Sequence, residues 1–597
     1  MRRRARAAAL ALALACAAAG CAVGPADRGT DAGAGGAEPT TVAGGAPSAG
    51  VSDGASSADR GGGAPSAGDG EGAPAGAGAG SAGEPGGAGT SGEPAGASGG
   101  EAVAAPHVEP PPERTTYDVE VEFDPASRRL AGVTIVTARN EADVATSEAR
   151  LTAYLNAFHA DAISERNPVL PEHRKRAYPV GTASLDGRLE PHRASVDGAS
   201  AAVRRVGAAI VVDLPEPWAP GEWRRIELAW DATLPEVHHR FGFEGDAYWF
   251  GNALPNLAVF DGEWRDYAYE PVGDPFYSAV ADYRVRVTAP SGYTIVASGD
   301  ETVAAAAGAD RGGASPAGGT ASPGGGTASA GGDTASPGGG TLSPGGAIAE
   351  SGDGFATTIV EAPRARDFAF ALGSSHRSVG VATAGGVRVN VFYRDASEAR
   401  AAAAAEAAAG MIDLLEDWVG AYPYGEMDIF ENEMFVTGME YPGFAFVRGD
   451  RLNDPDGVET VVHEVAHQWF YNAIGNDQVR EPWLDESFAT YMTDVYLLGD
   501  RLDATYAERL RTLRQGAVLG DVRSYDSWSA YWNGNYRKGA LMLHALRGEL
   551  GEAGFERFLK MYFERFRDGI ATESAFVEAA ESAYGESLDE FFERWLP

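Results

Sequence analysis

The chain has 597 residues, including 79 glycines but only two cysteines, and its 85 acidic and 48 basic side chains give a net charge of −37. So acidic a surface repels phosphate backbones and argues against a nucleic-acid partner. Two cysteines exclude a disulfide scaffold. No apolar run of about 18 residues or more comes after the N-terminal region, so the sequence predicts no membrane-spanning helix in the body of the chain.

Residues 1–21 have the pattern of a bacterial lipoprotein signal peptide. Positive charges come first, on Arg2, Arg3, Arg4 and Arg6. The apolar run Ala7–Ala19 after them is too short for a mature transmembrane helix. Small residues then lead to Cys21, where we expect cleavage and acylation of the thiol; an ordinary signal peptide cut near Ala19 is the alternative. We therefore expect an exported protein, lipid-anchored on the outer side of the cytoplasmic membrane or on the outer membrane or cell surface.

Two stretches are too poor in apolar side chains to fold. Residues 22–111 are mostly Gly, Ala, Pro and Ser, which predicts a disordered tether. A second such stretch at about 303–350 repeats Thr every seven residues without an apolar seam, and we interpret it as a disordered insertion between two strands. Without these stretches roughly 440 residues remain, enough for two large domains.

The remaining chain divides by its periodicity. In residues 112–378 the apolar side chains alternate, as in Val119–Phe123 and Tyr283–Val287, which predicts an antiparallel β domain. From 379 to 597 we predict one strand at Val387–Val391 and a long helix that begins near Asp395 or Ser397 and ends before Tyr422. Most of the sequence after that helix has helical spacing, so the fold class is α+β and multidomain.

One segment of the second half has the spacing of a metal site. His463-Glu464-x-x-His467 is an HExxH sequence, and on a helix its two histidines are one turn apart on the same face. Two imidazoles so placed can bind one Zn²⁺, and Glu464 between them can reach a water molecule on the metal. Two packed core histidines are the alternative interpretation.

A third zinc ligand is expected because catalytic sites use three protein ligands and leave one position for water. Glu486 comes after His467 with 18 intervening residues and lies in a helix predicted to begin near Pro482 and to end at Gly499. Its carboxylate would face the two histidines from the inner side of that helix.

These motifs resemble the M1 gluzincin aminopeptidases, the family that includes aminopeptidase N and leukotriene A4 hydrolase. The matching residues are His463, Glu464, His467 and Glu486, with Gln468-Trp469-Phe470 and Trp483-Leu484 beside them. Thermolysin-type endopeptidases resemble the pattern less well, because their spacing is one residue longer and an Asp stands where this chain has Thr490. The resemblance implies a β-saddle domain, a thermolysin-like, mainly helical catalytic domain, and a short form without the family's C-terminal solenoid.

Two further segments are similar to motifs of that family. Gly438-Met439-Glu440 resembles part of its exopeptidase motif, which implies that Glu440 binds the free α-amine of a peptide, although Tyr441 stands where Asn is usual. Tyr536 in Tyr-Arg-Lys-Gly resembles the family's tyrosine that donates to the oxyanion. Tyr531 and Tyr525 are weaker candidates for that donor. The resemblance also suggests an acid seven residues after the third ligand that orients a histidine. Thr493 holds that position here, and its neighbour Asp494 is the candidate.

Together these residues predict a zinc metallopeptidase with one Zn²⁺ per chain and peptide substrates. Glu464 would be the general base and Tyr536 the oxyanion donor, with Glu440, Met439 and Gly438 as substrate-binding residues. The same site could instead serve an endopeptidase or an epoxide hydrolase, which would not depend on a free α-amine. A surface-tethered, non-catalytic binding protein is a further alternative, although such relatives usually lose a ligand or the base.

Overall fold

The computed structural model describes residues 112–303, 354–513 and 519–596. The predicted signal peptide 1–21, the tether 22–111 and nearly all of the predicted insertion 303–350 lie outside the described residues. Within the described ranges, no helix is both long and apolar enough to cross a membrane. The boundaries 112–378 and 379–597 stay predictions, whereas a β-rich first part and a mainly helical second part are observed.

The β-rich part consists of short strands with an alternating burial pattern. In the first strand Tyr117, Val119, Val121 and Phe123 are buried, and the residues between them are not. This alternation is the reason the segment forms a half-buried strand. The strands are β1 Thr116–Asp124, β2 Arg129–Arg139, β3 Thr146–Thr152, β4 Arg188–Val196, β5 Ala199–Ala201, β6 Val203–Val206, β7 Ala209–Trp218, β8 Trp223–Thr233, β9 Phe241–Glu244, β10 Ala247–Phe250, β11 Asn256–Leu257, β12 Ala281–Pro290, β13 Thr294–Ala297, β14 Asp300–Val303, β15 Phe355–Ala365 and β16 Phe370–Gly373.

Among the described residues these strands form one sheet of eight strands, in the order β14-β15-β12-β1-β2-β8-β4-β5, and two sheets of four, β13-β16-β10-β9 and β11-β3-β7-β6. The prediction of an antiparallel sheet holds except for one pair, because β1 runs parallel to β12 with Val119 opposite Val285. A parallel neighbour is possible here because a long stretch of chain, not a hairpin, joins the two strands. Two short helices, α1 Ala160–Glu165 and α2 Arg174–Ala177, and 3₁₀ turns at Tyr154–Phe158 and Thr182–Ser184 complete this part.

The second half begins with a mixed sheet. Its strands are β17 Arg377–Ala382, β18 Arg388–Tyr393, β19 Glu426–Asn432, β20 Gly438–Tyr441 and β21 Phe444–Arg448, in the order β17-β18-β19-β21-β20. Strand β20 lies at the edge of this sheet and pairs antiparallel with β21 alone. The predicted strand at Val387–Val391 is confirmed as β18, displaced by one residue at its start.

Helices make up most of the rest. They are α3 Glu398–Trp418, α4 Gly449–Asn453, α5 Val458–Ala466, α6 Trp483–Leu498, α7 Leu502–Thr512, α8 Trp528–Tyr531, a π-helix at Trp532–Lys538, α9 Gly539–Phe566, α10 Glu573–Tyr584 and α11 Asp589–Phe592, with 3₁₀ turns at Pro455–Gly457, Gly499–Arg501 and Val522–Ser524. The long helix predicted to begin near Asp395 or Ser397 and to end before Tyr422 is confirmed as α3. The Ser397 side chain caps this helix, because it accepts a hydrogen bond from the Arg400 N–H.

The mixed sheet separates two hydrophobic cores. Alternate side chains of β21, Phe444 and Phe446, join the core of the β-rich part, whereas Ala445 and Val447 join the core of the helices. A strand with apolar side chains on both faces is buried on both faces. The sheet therefore connects the two halves of the molecule, and its edge strand β20 lies where the halves meet.

Candidate active site

The two histidines of the HExxH sequence lie at the end of helix α5. Val461, Val462 and Val465 bury the opposite face of this helix and fix its rotation. His463 lies in its last turn and His467 directly follows its last residue, so the Nε2 atoms of the two rings are 3.1 Å apart. The predicted juxtaposition of the two imidazoles is therefore observed.

Helix α6 brings Glu486 to the same point. Its Oε2 atom lies 3.2 Å from Nε2 of His463 and 3.4 Å from Nε2 of His467. The helix is held there by aromatic packing: Phe488, half a turn further on, stacks on Phe470 with ring centroids 4.3 Å apart. Burial alone would raise the pKa of Glu486, but its hydrogen bonds with His463 and His467 lower that pKa to about 2. Glu486 is therefore a carboxylate.

These three side chains fit a zinc ion. Atoms bound at about 2.0–2.1 Å to a tetrahedral metal are about 3.3–3.4 Å apart. The three separations here are 3.1, 3.2 and 3.4 Å. Two imidazole nitrogens and one carboxylate oxygen are also a ligand set that catalytic zinc uses, with a position left for water. His467 is further oriented by its other ring nitrogen, Nδ1, which lies 3.0 Å from the carbonyl oxygen of Phe470.

Glu464 is buried beside these ligands, against the edge strand β20. A Cβ atom at Gly438 would lie 2.0 Å from Oε1 of Glu464, so only glycine leaves room for this carboxylate. Burial and the nearby Glu440 raise the pKa of Glu464 well above its ordinary range. Gly438, one of the predicted substrate-binding residues, thus leaves room for the side chain of the predicted general base.

Glu440 lies in strand β20 with only 4 % of its surface exposed. Its carboxylate lies within 4.8 Å of a ring nitrogen of His467 and accepts a hydrogen bond of 3.1 Å from Nε2 of Gln478. Burial, the largest cause, together with the carboxylates of Asp274 and Glu486 raises the pKa of Glu440 to about 7, although His467 opposes this. Met439, its neighbour, faces away from the ligands into the core of the β-rich part.

Tyr536 belongs to the π-helix and covers the three candidate zinc ligands. Its ring stacks on that of His463 at 5.7 Å with an interplanar angle of 11°, and its hydroxyl donates a hydrogen bond to Oε1 of Glu486. Gly539 explains part of the sequence motif, because a Cβ atom there would lie 1.7 Å from Oγ of Ser487 on helix α6. Tyr531 is also buried nearby, with its ring 5.7 Å from that of Tyr536, and Tyr525 lies beyond Tyr531.

The suggestion that Asp494 orients a histidine is wrong. Its carboxylate accepts hydrogen bonds from the Tyr506 hydroxyl at 2.7 Å and from Nη2 of Arg509 at 3.0 Å, both on helix α7. The position seven residues after Glu486 is Thr493, and one further residue turns a helical side chain by about 100°. Asp494 therefore faces the neighbouring helix.

Other residues of the site were missed by the sequence analysis. Gln478 joins Glu440 to Asp485, since its Nε2 atom also lies 2.7 Å from Oδ2 of Asp485. From the β-rich part, Asp274 pairs with the buried Arg240. Asp485 was visible only as the neighbour of Glu486, whereas Gln478, Asp274 and Arg240 belong to no pattern read from the sequence. Cys21, the predicted lipidation site, lies outside the described residues.

The ligand geometry predicts the metal content of two variants. Glu486→Gln should lower zinc affinity by more than about 100-fold, because even residues that only support zinc ligands contribute about 10- to 100-fold. Asp494→Asn, a matched loss of one carboxylate on the same helix, should keep wild-type zinc. Metal analysis of both proteins after dialysis against a weak chelator tests this; equal zinc in the two variants would contradict the assignment of Glu486.

Comparisons with known proteins agree with this geometry. Residues 403–595 match the sequence model of the peptidase family M1 domain. Over 239 residues the chain is 27 % identical to aminopeptidase M1-A of Oryza sativa subsp. japonica. This alignment covers 36 % of this chain and 27 % of that protein. Over 200 residues it is 28 % identical to aminopeptidase N of Streptomyces lividans, covering 30 % and 23 % respectively. These alignments thus span about a quarter of the length of each relative.

Solved structures match over more of the chain. The M1 zinc metallopeptidase of Deinococcus radiodurans superposes with a TM-score of 0.55 at 18 % identity, covering 81 % of this chain and 95 % of that one. A mutant of the Deinococcus enzyme bound to a Tyr-Ser-Ala substrate gives a TM-score of 0.55 at 19 % identity, covering 81 % and 93 %. The likeness shows a shared fold across both halves of the described residues. Residues 403–595 therefore match the model of the peptidase family M1 domain, and the described chain shares the fold of an M1 zinc metallopeptidase.

Proposed function

We propose that this chain is a zinc-dependent aminopeptidase that releases N-terminal residues from peptides. One observation carries the proposal: the buried carboxylate of Glu440 lies within 4.8 Å of His467, one of the three residues that fit zinc. A carboxylate so close to the metal can bind the ammonium group of a peptide only when very few atoms separate that group from the bond to be cut. The position of Glu440 therefore favours an exopeptidase over an endopeptidase.

Each of the other residues has a part in the reaction. His463, His467 and Glu486 would hold one zinc ion per chain, which when bound would activate water and polarise the peptide carbonyl. Glu464, beside these ligands, accepts the proton of the attacking water and returns a proton to the leaving amine. Tyr536 donates a hydrogen bond to the carbonyl oxygen as negative charge develops on it. A phenol suits this task because it donates without carrying a charge.

The comparisons support the proposal from a different direction. The curated relatives are named as aminopeptidases, and a Deinococcus structure of the same fold is described as bound to a peptide substrate. Because those relatives extend well beyond the aligned region, their activity is a proposal for this chain. We further propose that the β-rich part is a β-saddle domain and that the second half is thermolysin-like. The mixed sheet and the helices α5 and α6 after it support the latter.

Removal of the general base should separate metal binding from turnover. Glu464→Gln keeps the size of the side chain but cannot accept a proton, so we expect wild-type zinc content with kcat lowered by about 10²- to 10⁴-fold. Peptide hydrolysis and zinc content should be measured on the same preparation. A Glu464→Gln protein that turns over at nearly the wild-type rate would refute the role of Glu464.

The role of Glu440 can be tested with one peptide series in free and N-acetylated form. We expect chelator-sensitive release of the first residue from the free peptides only. Glu440→Gln should raise KM for the free peptides by about 10- to 100-fold, since it removes a charge-assisted hydrogen bond. Cleavage of the acetylated peptides by the wild-type chain would instead support an endopeptidase. Zinc binding without cleavage of either form would support a non-peptide substrate or a binding function.

We also propose that the chain is an exported lipoprotein. The support is the arginine-rich start, the short apolar run Ala7–Ala19 and Cys21 after small residues. Acyl chains on Cys21 would hold the enzyme at a membrane surface, on the outer side of the cytoplasmic membrane or on the outer membrane or cell surface. The tether 22–111 would separate it from that surface.

Expression of the full chain in a bacterium fed a labelled fatty acid tests the anchor. We expect label in the membrane-bound wild-type chain and none in a Cys21→Ala variant. Replacement of the other cysteine, Cys16→Ala, is the matched control and should leave the label unchanged, because that residue lies within the part removed. Label that persists in Cys21→Ala would contradict the lipoprotein assignment.

A further inference from the structure

Strand β20 presents two different faces. Gly438 and Glu440 face the end of helix α5. Gly438 packs against Glu464 of that helix, and Glu440 approaches His467, which directly follows it. Met439 and Tyr441 point the opposite way, as alternate residues of a strand must, and belong to the hydrophobic core of the β-rich part. The residues on either side of Glu440 are therefore held by the other half of the molecule.

The first of these contacts comes from Arg240. Its Nε atom lies 3.1 Å from Sδ of Met439, and the arginine is 1 % exposed. So deeply buried a guanidinium is itself fixed, since Nη1 donates to the Tyr269 hydroxyl at 2.9 Å and Nη2 to the Gly273 carbonyl oxygen at 2.9 Å and to Asp274. A side chain with all of these partners has little freedom to move, so it is a rigid support for Met439.

The second contact is a hydrogen bond across the same boundary. The Tyr441 hydroxyl donates to Oδ1 of Asn252 at 2.8 Å, and Nδ2 of Asn252 donates to the buried Asp367. The chain makes room for this phenol, because a Cβ atom at Gly251 would lie 2.0 Å from the Tyr441 hydroxyl oxygen. Asn252 also has a φ of 54°, a left-handed conformation that asparagine tolerates better than most residues.

The backbone of Tyr441 is hydrogen-bonded to the segment that directly follows helix α5. Nε2 of Gln468 donates to the Tyr441 carbonyl oxygen at 3.0 Å, and Oε1 of Gln468 accepts from the Gly443 N–H at 2.8 Å. Gln468 directly follows the zinc ligand His467 in the sequence. Tyr441 thus contacts both halves of the molecule. Its hydroxyl binds Asn252 of the β-rich part, and its carbonyl oxygen binds Gln468 next to the zinc ligand His467.

We propose that Arg240, Asn252 and Tyr441 are positioning residues that hold Glu440 at the distance from the metal ligands that binding of a peptide's α-amine requires. This inference rests on the proposed function, in which Glu440 binds that amine. Strand β20 needs such support because it is an edge strand, paired on one side only by β21. Misplacement of a positioned group by about 1 Å can cost about 100-fold in rate, so small shifts of this strand would matter.

The variant Tyr441→Phe tests this directly, because it removes the hydroxyl and keeps the ring in the core. The matched control is Tyr178→Phe, which removes a hydrogen bond of 2.9 Å from another buried tyrosine to Oδ1 of an asparagine, Asn167, within the β-rich part. Asn252→Ala is a second variant that removes the same contact from its other side.

The measurement is peptide binding by calorimetry to the zinc-loaded full chain carrying Glu464→Gln, so that turnover does not interfere. The ligands are a tripeptide and its analogue in which hydrogen replaces the N-terminal amine. The parent protein should prefer the free amine, and Tyr441→Phe and Asn252→Ala should each reduce this preference by about fivefold to tenfold, with unchanged zinc content. Tyr178→Phe should keep the parental preference. With Glu464 restored, Tyr441→Phe should raise KM more than it lowers kcat.

The possible failures are distinguishable. A parent protein that binds both peptides equally would overturn the role of Glu440 in the proposed function, and the positioning role with it. A parent that prefers the free amine, with an equal preference in Tyr441→Phe and Asn252→Ala, would overturn the positioning role alone. Loss of affinity for both peptides in the same proportion, or loss of zinc, would also overturn it, because that is the result of a purely structural contact.

Discussion

The structure of the site depends on the meeting of three side chains, from helix α5, from the residue directly after it and from helix α6. Nε2 of His463, Nε2 of His467 and Oε2 of Glu486 lie 3.1 to 3.4 Å from one another. Without a metal, such a group of partly charged atoms would be costly to bury, so the packing around it has to hold it in place. The apolar face of α5 and the stacking of Phe488 on Phe470 provide that packing.

A second constraint is the mixed sheet between the two cores. The sheet's edge strand β20 lies where the halves meet, so its alternating side chains can serve both: Glu440 reaches the metal ligands while Tyr441 is held by Asn252 of the β-rich part. The β-rich part therefore does more than enclose the site, because it also contacts the strand that carries Glu440. Its polar residues Arg240 and Asn252 fix the strand on which, in our proposal, recognition of the peptide's α-amine depends.

Local patterns predicted much of this arrangement, and non-local contacts account for what was missed. His463 and His467 could be paired from sequence because one helical turn fixes their separation. Glu486 was expected from the need for a third ligand and from a helix predicted to begin near Pro482. The role of Tyr536 needed the family resemblance, since spacing alone does not say which face of a distant helix turns inward. The prediction that Asp494 orients a histidine was wrong, because a shift of one residue along a helix turns the side chain by about 100°. Arg240 and Gln478 could not be found, because their partners Met439 and Glu440 lie at least 38 residues away in the chain and no repeat or motif marks them.

The most direct test of the account is a crystal structure of the zinc-loaded Glu464→Gln protein with a short free-amine peptide. Anomalous scattering at the zinc edge would locate the metal independently of the chain. The account predicts one zinc ion bound by His463, His467 and Glu486, the first peptide carbonyl close to the Tyr536 hydroxyl, and the α-amine on Glu440. A metal bound elsewhere, or a peptide whose amine points away from Glu440 while its chain extends past the metal in both directions, would contradict it.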